Sequence, residues 1–254
     1  MHLQVLVRSF QKKLASKGAN LIITARTNSD LLTLAKELEY ENANIWVKTI
    51  PADLSKINEG QLLFSTIHDM RLSVDYLINN AGFGKFCEFQ EEDFETYHKM
   101  MMLNINAVVE LTRLFIPNMK KENSGGIINI ASTGSFQPLP YQAVYGASKT
   151  FLLSFSEALS GELLDTNVRV MALCPSVTES NFMVNANADT SNMKFSSPEK
   201  VVNSSLIAFA ENRVYILSGK VNYLTSLILR FVSRKARLKL SLTCSKVVCW
   251  GNLS

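Results

Sequence analysis

Residues 127–149, IINIASTGSFQPLPYQAVYGASK, decide the fold of this chain. Gly125-Gly126 introduces an apolar run from Ile127 to Ala131, which has the length and β-branched content of a buried strand. From Val144 to Leu164 the pattern changes to a helical one, with Leu152, Phe155, Leu159 and Leu163 on one face. Ser132 stands at the end of the strand, and Tyr145 and Lys149 stand on the helix. Four residues make about one helical turn, so the phenol and the ammonium share a face and can enter one cleft. A free phenol titrates near ~10 and exchanges protons poorly at neutral pH. Lowering that value by roughly 2–3 units takes about 3–4 kcal/mol, which a close, partly desolvated cation helps to supply.

Outward from this stretch, strand-like and helix-like segments alternate. Leu3, Leu6, Phe10 and Leu14 recur at helical spacing before Gly18, and Leu21 to Ala25 reads as a buried strand. Ser29 is placed to cap a helix carrying Leu31, Leu34, Ala35 and Leu38. Ile45–Ile50 and Val74–Ile78 read as strands, with a helix over Lys56–Met70 between them. Two helices follow, one from about Asp93 into Leu103 and one from Ala107 to Met119. Val168–Leu173 is a strand closed by Pro175, and Ser197-Pro198-Glu199 starts another helix after a polar loop. Val214–Leu217 supplies the last strand. Such alternation implies an α/β protein, a doubly wound parallel sheet with helices on both faces, whose ligands bind beyond the carboxyl ends of the strands.

Composition agrees with one large domain. The chain has 254 residues, 47% hydrophobic and 19% charged, which is a globular balance. Its four cysteines form no C-x-x-C pair, and its three histidines have no ligand spacing, so a zinc site is not expected and a reducing compartment is. The apolar part of the N-terminus is too short for a signal-peptide core, and no window has the roughly 20 apolar residues of a spanning helix. The net charge of +4 is unevenly placed: eight Lys and Arg and no acidic residue follow Glu211. The remainder is therefore net acidic, which argues against a nucleic-acid surface. Residues 1–220 read as the domain and residues 221–254 as a basic amphipathic tail. There Leu224, Leu227, Ile228 and Phe231 share a face and Arg230, Arg234 and Arg237 lie on or near the other. The tail either caps the substrate pocket or touches a membrane.

Several motifs in order make the pattern specific. They are NNAG at 79–82 after the strand VDYLI, Asn104 within LNINA, Ser132 in NIAST, YGASK at 145–149 and, less closely, CPSVT at 174–178. On these residues, from about 5 to 220, the chain resembles the short-chain dehydrogenase/reductase family. The resemblance implies a Rossmann-like fold and hydride transfer between a nicotinamide cofactor and a carbonyl or secondary alcohol. Tyr145 would donate and accept the proton, and Ser132 would bind the same substrate oxygen. Lys149 would hold the nicotinamide ribose and lower the Tyr145 pKa, and Asn104 would anchor a water linking Lys149 to solvent. Asp53, Asn80, Ala81 and Gly82 would line the adenosine half, and Thr178 would hold the nicotinamide half. Arg26 follows the strand 21–25, where a guanidinium suits the 2′-phosphate of NADP; NAD is the second possibility. The cytoplasm, with peripheral membrane contact through the tail, is the implied location. A homo-oligomer built on helices 107–119 and 144–164 is the implied assembly.

One family feature is missing from the sequence. The Thr-Gly-x-x-x-Gly-x-Gly loop would place its last two glycines at Val5 and Val7, and only four residues precede Val5. A β-branched side chain cannot replace glycine at a phosphate-hugging turn. Ser176 also stands where the family usually has glycine after proline. The first strand is therefore expected to be missing, leaving its neighbours either apart or closed upon each other. Three readings follow: an enzyme with a longer N-terminus, a degenerate copy, or a non-catalytic nucleotide-binding or scaffold protein. A nucleotide-sugar epimerase or dehydratase shares Tyr-x-x-x-Lys, but its C-terminal domain is usually larger. Met183, Met193 and Phe195, in the loop 176–197, point to an apolar, fatty-acyl or steroid-like carbonyl substrate.

Overall fold

Short strands rich in Ile, Val and Leu alternate with amphipathic helices along the chain, and each strand pairs in parallel with its neighbours. The computed structural model describes residues 5–176, 186 and 195–250. The elements run α1 (Val5–Ala15), β1 (Leu21–Ala25), α2 (Asn28–Glu41), β2 (Val47–Pro51), α3 (Glu59–Asp69) and β3 (Tyr76–Asn79). Then come α4 (Phe94–Met101), α5 (Ala107–Lys121), β4 (Gly126–Ile130), α6 (Ala143–Glu162) and β5 (Arg169–Cys174). The chain ends with α7 (Pro198–Ala210), β6 (Tyr215–Leu217), α8 (Lys220–Phe231) and α9 (Arg234–Trp250). Gly125 makes the turn into β4 possible. Its φ is +104°, and a Cβ there would lie 2.2 Å from the Asp75 carbonyl oxygen.

The described strands form two sheets, β1-β2 and β3-β4-β5-β6, all parallel within each. β1 and β3 do not pair, so the neighbours have not closed upon each other. Helix α1 spans both sheets. Its Leu6 and Phe10 pack with Ile78, Ile128, Met171 and Val202, whereas Ala15 packs with Leu21, Ile23 and Leu34. On the opposite face, Ile22 of β1 and Leu77 of β3 meet one cluster built on Leu63, Leu111, Phe115 and Ile127. Shared apolar cores thus hold the two sheets together where backbone pairing does not. Gln11 Oε1 and Thr24 Oγ1 are buried without a hydrogen-bond partner among the described residues.

Two expectations change in detail. Helix α2 is capped at Thr27, not Ser29, because Thr27 is the last extended residue, at φ −99° and ψ 108°. The helices predicted over 93–103 and 107–119 are one continuous helix, Phe94–Lys121, joined by a π-helical turn at Met102–Asn106. By length and composition that helix is long and apolar enough to cross a membrane. Here it is a core helix, with Ala107, Leu111, Phe115 and Met119 buried in the cluster beneath the sheet.

Candidate active site

The carboxyl ends of β3, β4 and β5 carry the chemistry, because parallel strands deliver their terminal residues to one edge. Ser132 follows β4 and caps the 3₁₀ turn Thr133–Phe136 in a capping box with Ser135: its hydroxyl accepts from Gly134 N at 3.0 Å. That turn is tied to α6, where Ser135 Oγ donates to the Lys149 carbonyl at 2.8 Å and Thr150 Oγ1 to the Ser135 carbonyl at 3.2 Å. The side chains of Ser132 and Tyr145 are hydrogen-bonded. Lys149 rises from the same helical face, only 5% exposed; its Nζ lies 5.8 Å from the Tyr145 ring centroid and donates to the Ile130 carbonyl at 2.6 Å. The expected Ser132, Tyr145 and Lys149 are therefore together.

Burial governs the protonation of this group. Desolvation pushes the Tyr145 phenol up to about 12, and the hydrogen bond with Ser132 pulls the other way. Desolvation lowers Lys149 to about 8. Burial also pushes the Cys174 thiol up to about 12, so it sits beside Lys149 as a neutral group. Tyr145 is thus an acid in this state, and a further positive charge is needed to bring it towards neutral titration.

Asn104 occupies the π-helical turn and is fully buried. Its Oδ1 accepts from Phe83 N at 3.1 Å, and its Nδ2 donates to the Phe83 carbonyl at 3.0 Å and to Ser148 Oγ at 3.1 Å. It therefore fixes the segment after Gly82 and joins it to α6. Ser148 in turn donates to the Tyr145 carbonyl at 2.7 Å. A π-turn adds a residue to one helical turn, which brings this amide inward.

Asn80, Ala81 and Gly82 continue from β3 at the same edge, with Ala81 exposed. A Cβ on Gly82 would lie 2.9 Å from Asn104 Oδ1 and 3.5 Å from Lys149 Nζ, so only glycine leaves this floor open. At the end of β1, the exposed Arg26 lies close enough to Asp53, beyond β2, to act on its charge. Burial pushes the Asp53 carboxyl up, but hydrogen bonds from Ser55 and the charge of Arg26 leave it below the ordinary value. Thr178, Met183 and Met193 lie outside the described residues.

The motifs did not reveal what holds the site from below. Asn79 Nδ2 donates to Asn129 Oδ1 at 2.8 Å, and Asn129 Nδ2 donates to Ser156 Oγ at 2.9 Å. This buried polar ladder crosses β3, β4 and α6. The position of Cys174 beside Lys149 had no sequence signal beyond its place at the end of β5.

An acid–base cleft at the carboxyl edge of a doubly wound sheet is the class of site these elements define. The family model for short chain dehydrogenases matches residues 6–191. The chain belongs to the short chain dehydrogenase family. A very-long-chain 3-oxoacyl-CoA reductase of Neurospora crassa is 33% identical over 167 residues, which are 65% of this chain and 50% of that protein. The chain thus matches about half the length of that relative. A short-chain dehydrogenase from Sphingobium yanoikuyae in complex with NADPH superposes with a TM-score of 0.78 at 26% identity, covering 84% of each chain. One from Burkholderia phymatum in complex with NAD gives 0.78 at 23% identity, covering 88% of each.

Proposed function

We propose that the chain is an NADP(H)-preferring oxidoreductase acting on a carbonyl or secondary alcohol, with Tyr145 as the acid/base. The observation that carries this reading is the hydrogen-bonded Ser132–Tyr145 pair with Lys149 buried beneath it at the open edge beside Gly82. The residues present fit a dinucleotide on its adenosine and nicotinamide-ribose sides. Gly82 leaves the space, Arg26 offers a cation for a 2′-phosphate, and Asp53, Asn80 and Ala81 line the approach. Thr178 belongs to the nicotinamide side by sequence. The cofactor, when bound, supplies or accepts a hydride.

The protein side of the reaction is a proton transfer. Tyr145 Oη gives its proton to the carbonyl oxygen while the carbon gains a hydride, so C=O becomes CH–OH; oxidation runs the same transfers in reverse. Ser132 Oγ donates to that oxygen and stabilises its developing charge. Lys149 holds the ribose hydroxyls and adds positive charge beside the phenol, and Asn104 keeps the floor of the site in place. An apolar carbonyl of fatty-acyl or steroid type is the proposed substrate class, from Met183, Met193 and Phe195 in the sequence of the 176–197 loop. The reading includes a reducing, cytoplasmic setting and a homo-oligomer built on α5 and α6.

A second reading, a non-catalytic nucleotide-binding or scaffold protein, is favoured by the valines Val5 and Val7 at the start of α1. One experiment separates the two. Purified protein is titrated with NADPH and NADH by fluorescence, then assayed with small, steroidal and long-chain acyl ketones. NADPH binding with turnover of an apolar ketone supports the oxidoreductase. Nucleotide binding without turnover of any ketone supports the scaffold.

A further inference from the structure

We infer that α8 and the start of α9 form a docking face for an anionic lipid surface, set beside the mouth of the candidate active site. Helix α8 is held from its inner side: Ser226 is buried, and the helix packs on β6 and on the Thr133–Phe136 turn that follows Ser132. Helix α9 is pinned to the same region, where Ser241 Oγ donates to the Pro138 carbonyl at 2.6 Å. With the inner side accounted for, the outer side of α8 should be polar. One described stripe of it is apolar instead. Leu224 is 58% exposed, Ile228 56% and Phe231 91%, at the i, i+4, i+7 spacing of one helical stripe.

Charge identifies the occupant. Arg234, Lys235 and Lys239 are exposed directly after Phe231, and no Asp or Glu occurs from residue 212 to the end of the sequence. A second copy meeting this face through a two-fold axis would set these cations against their own equivalents. An anionic bilayer surface accepts both features, with apolar side chains entering the headgroup boundary and cations meeting lipid phosphates and carboxylates. Because α8 rests on the turn after Ser132, the docking face adjoins the Ser132 side of the candidate site. The docking face goes beyond the proposed reaction and does not depend on it.

The test is co-sedimentation of the full chain with phosphatidylcholine vesicles containing about one-third phosphatidylserine, and with phosphatidylcholine alone. The expected result is binding to the anionic vesicles only, abolished near about 1 M salt, where the Debye length falls to about 3 Å. Leu224→Gln/Ile228→Gln/Phe231→Gln and Arg234→Glu/Lys235→Glu/Lys239→Glu should each weaken partitioning by at least about tenfold. No sedimentation of the wild type, or sedimentation unchanged by both variants, overturns the proposal. So does an apolar variant that turns an oligomer into monomers while the wild type ignores vesicles, since the face then covers a second copy. Should a variant unfold, hydrogen exchange of the wild type decides: protection confined to residues 220–240 on adding anionic vesicles supports docking, and its absence there overturns it.

Discussion

Lys149 donates a hydrogen bond through Nζ to the carbonyl oxygen of Ile130 at 2.6 Å, a buried ammonium held by the last residue of β4. A carbonyl dipole compensates only part of the cost of burying that charge, so Lys149 titrates at about 8 in place of 10.5. The same position sets its charge 5.8 Å from the ring of the phenol that the proposed reaction uses.

That depression has a consequence for stability. Between about pH 8 and 10.5 the unfolded chain keeps the Lys149 proton and the folded chain has lost it, so stability rises with pH across this window. Below pH 8 the burial penalty is fully present. Lys149→Met should remove this rise, worth up to about 3 kcal/mol by linkage. Urea denaturation of both proteins at pH 7, 8, 9 and 10 checks it. Parallel pH profiles for wild type and variant would contradict the assignment.

Asn104 makes three hydrogen bonds in a fully buried position, two of them to the Phe83 backbone. Asn104→Ala leaves buried partners unsatisfied and should cost about 2–4 kcal/mol. Nucleotide affinity should fall too, because the segment after Gly82 loses its anchor. Asn104→Asp keeps the acceptor for Phe83 N and loses both donor bonds, so it should not rescue. Denaturation and nucleotide titration measure both effects, and loss within about 0.5 kcal/mol would show that the contacts are dispensable.

Arg26→Asp should shift nucleotide preference from NADPH towards NADH by at least about tenfold, since it removes a phosphate partner and adds a ribose-hydroxyl acceptor. The new carboxylate would also sit near Asp53, whose pKa the Arg26 charge now holds down. Asp53 should therefore titrate higher in the variant. Equal loss of both nucleotides would mean that Arg26 does not read the 2′ position.

The seam between the sheets should be visible in amide exchange. Leu21 N and the Ala25 carbonyl bond across to the β2 side, which turns the Ile22 and Thr24 amides towards β3. On β3, Asp75 faces β4, which turns the Ile78 amide towards β1. Those three amides should exchange at least about tenfold faster than Ile128 and Met171, which lie inside the paired ladder. Equal protection in solution would mean that the seam is closed.

Much of this was legible in the sequence, for physical reasons that differ from one element to the next. The strand at Ile127, the Tyr145–Lys149 turn and the NNAG segment carry local patterns that survive folding unchanged. Whether β1 and β3 would pair depended on tertiary packing, which no local pattern carries. The Phe94–Lys121 helix read as two because its π-turn shifts the apolar period near Asn104. The Asn79–Asn129–Ser156 ladder joins three elements distant in sequence, and no window contains it. Thr27 and Ser29 are both acceptable caps by residue type, and only the backbone angles choose between them.

Tyr145→Phe tests the central claim most directly, with turnover and nucleotide affinity measured on the same preparations. The substitution removes the hydroxyl that bonds Ser132 and leaves the ring that lies 5.8 Å from Lys149 Nζ. Turnover of a responsive ketone should fall by at least about a hundredfold while NADPH affinity stays within about threefold, since only the proton donor is lost. A Phe variant that keeps more than about a tenth of the wild-type rate would contradict the role assigned to Tyr145.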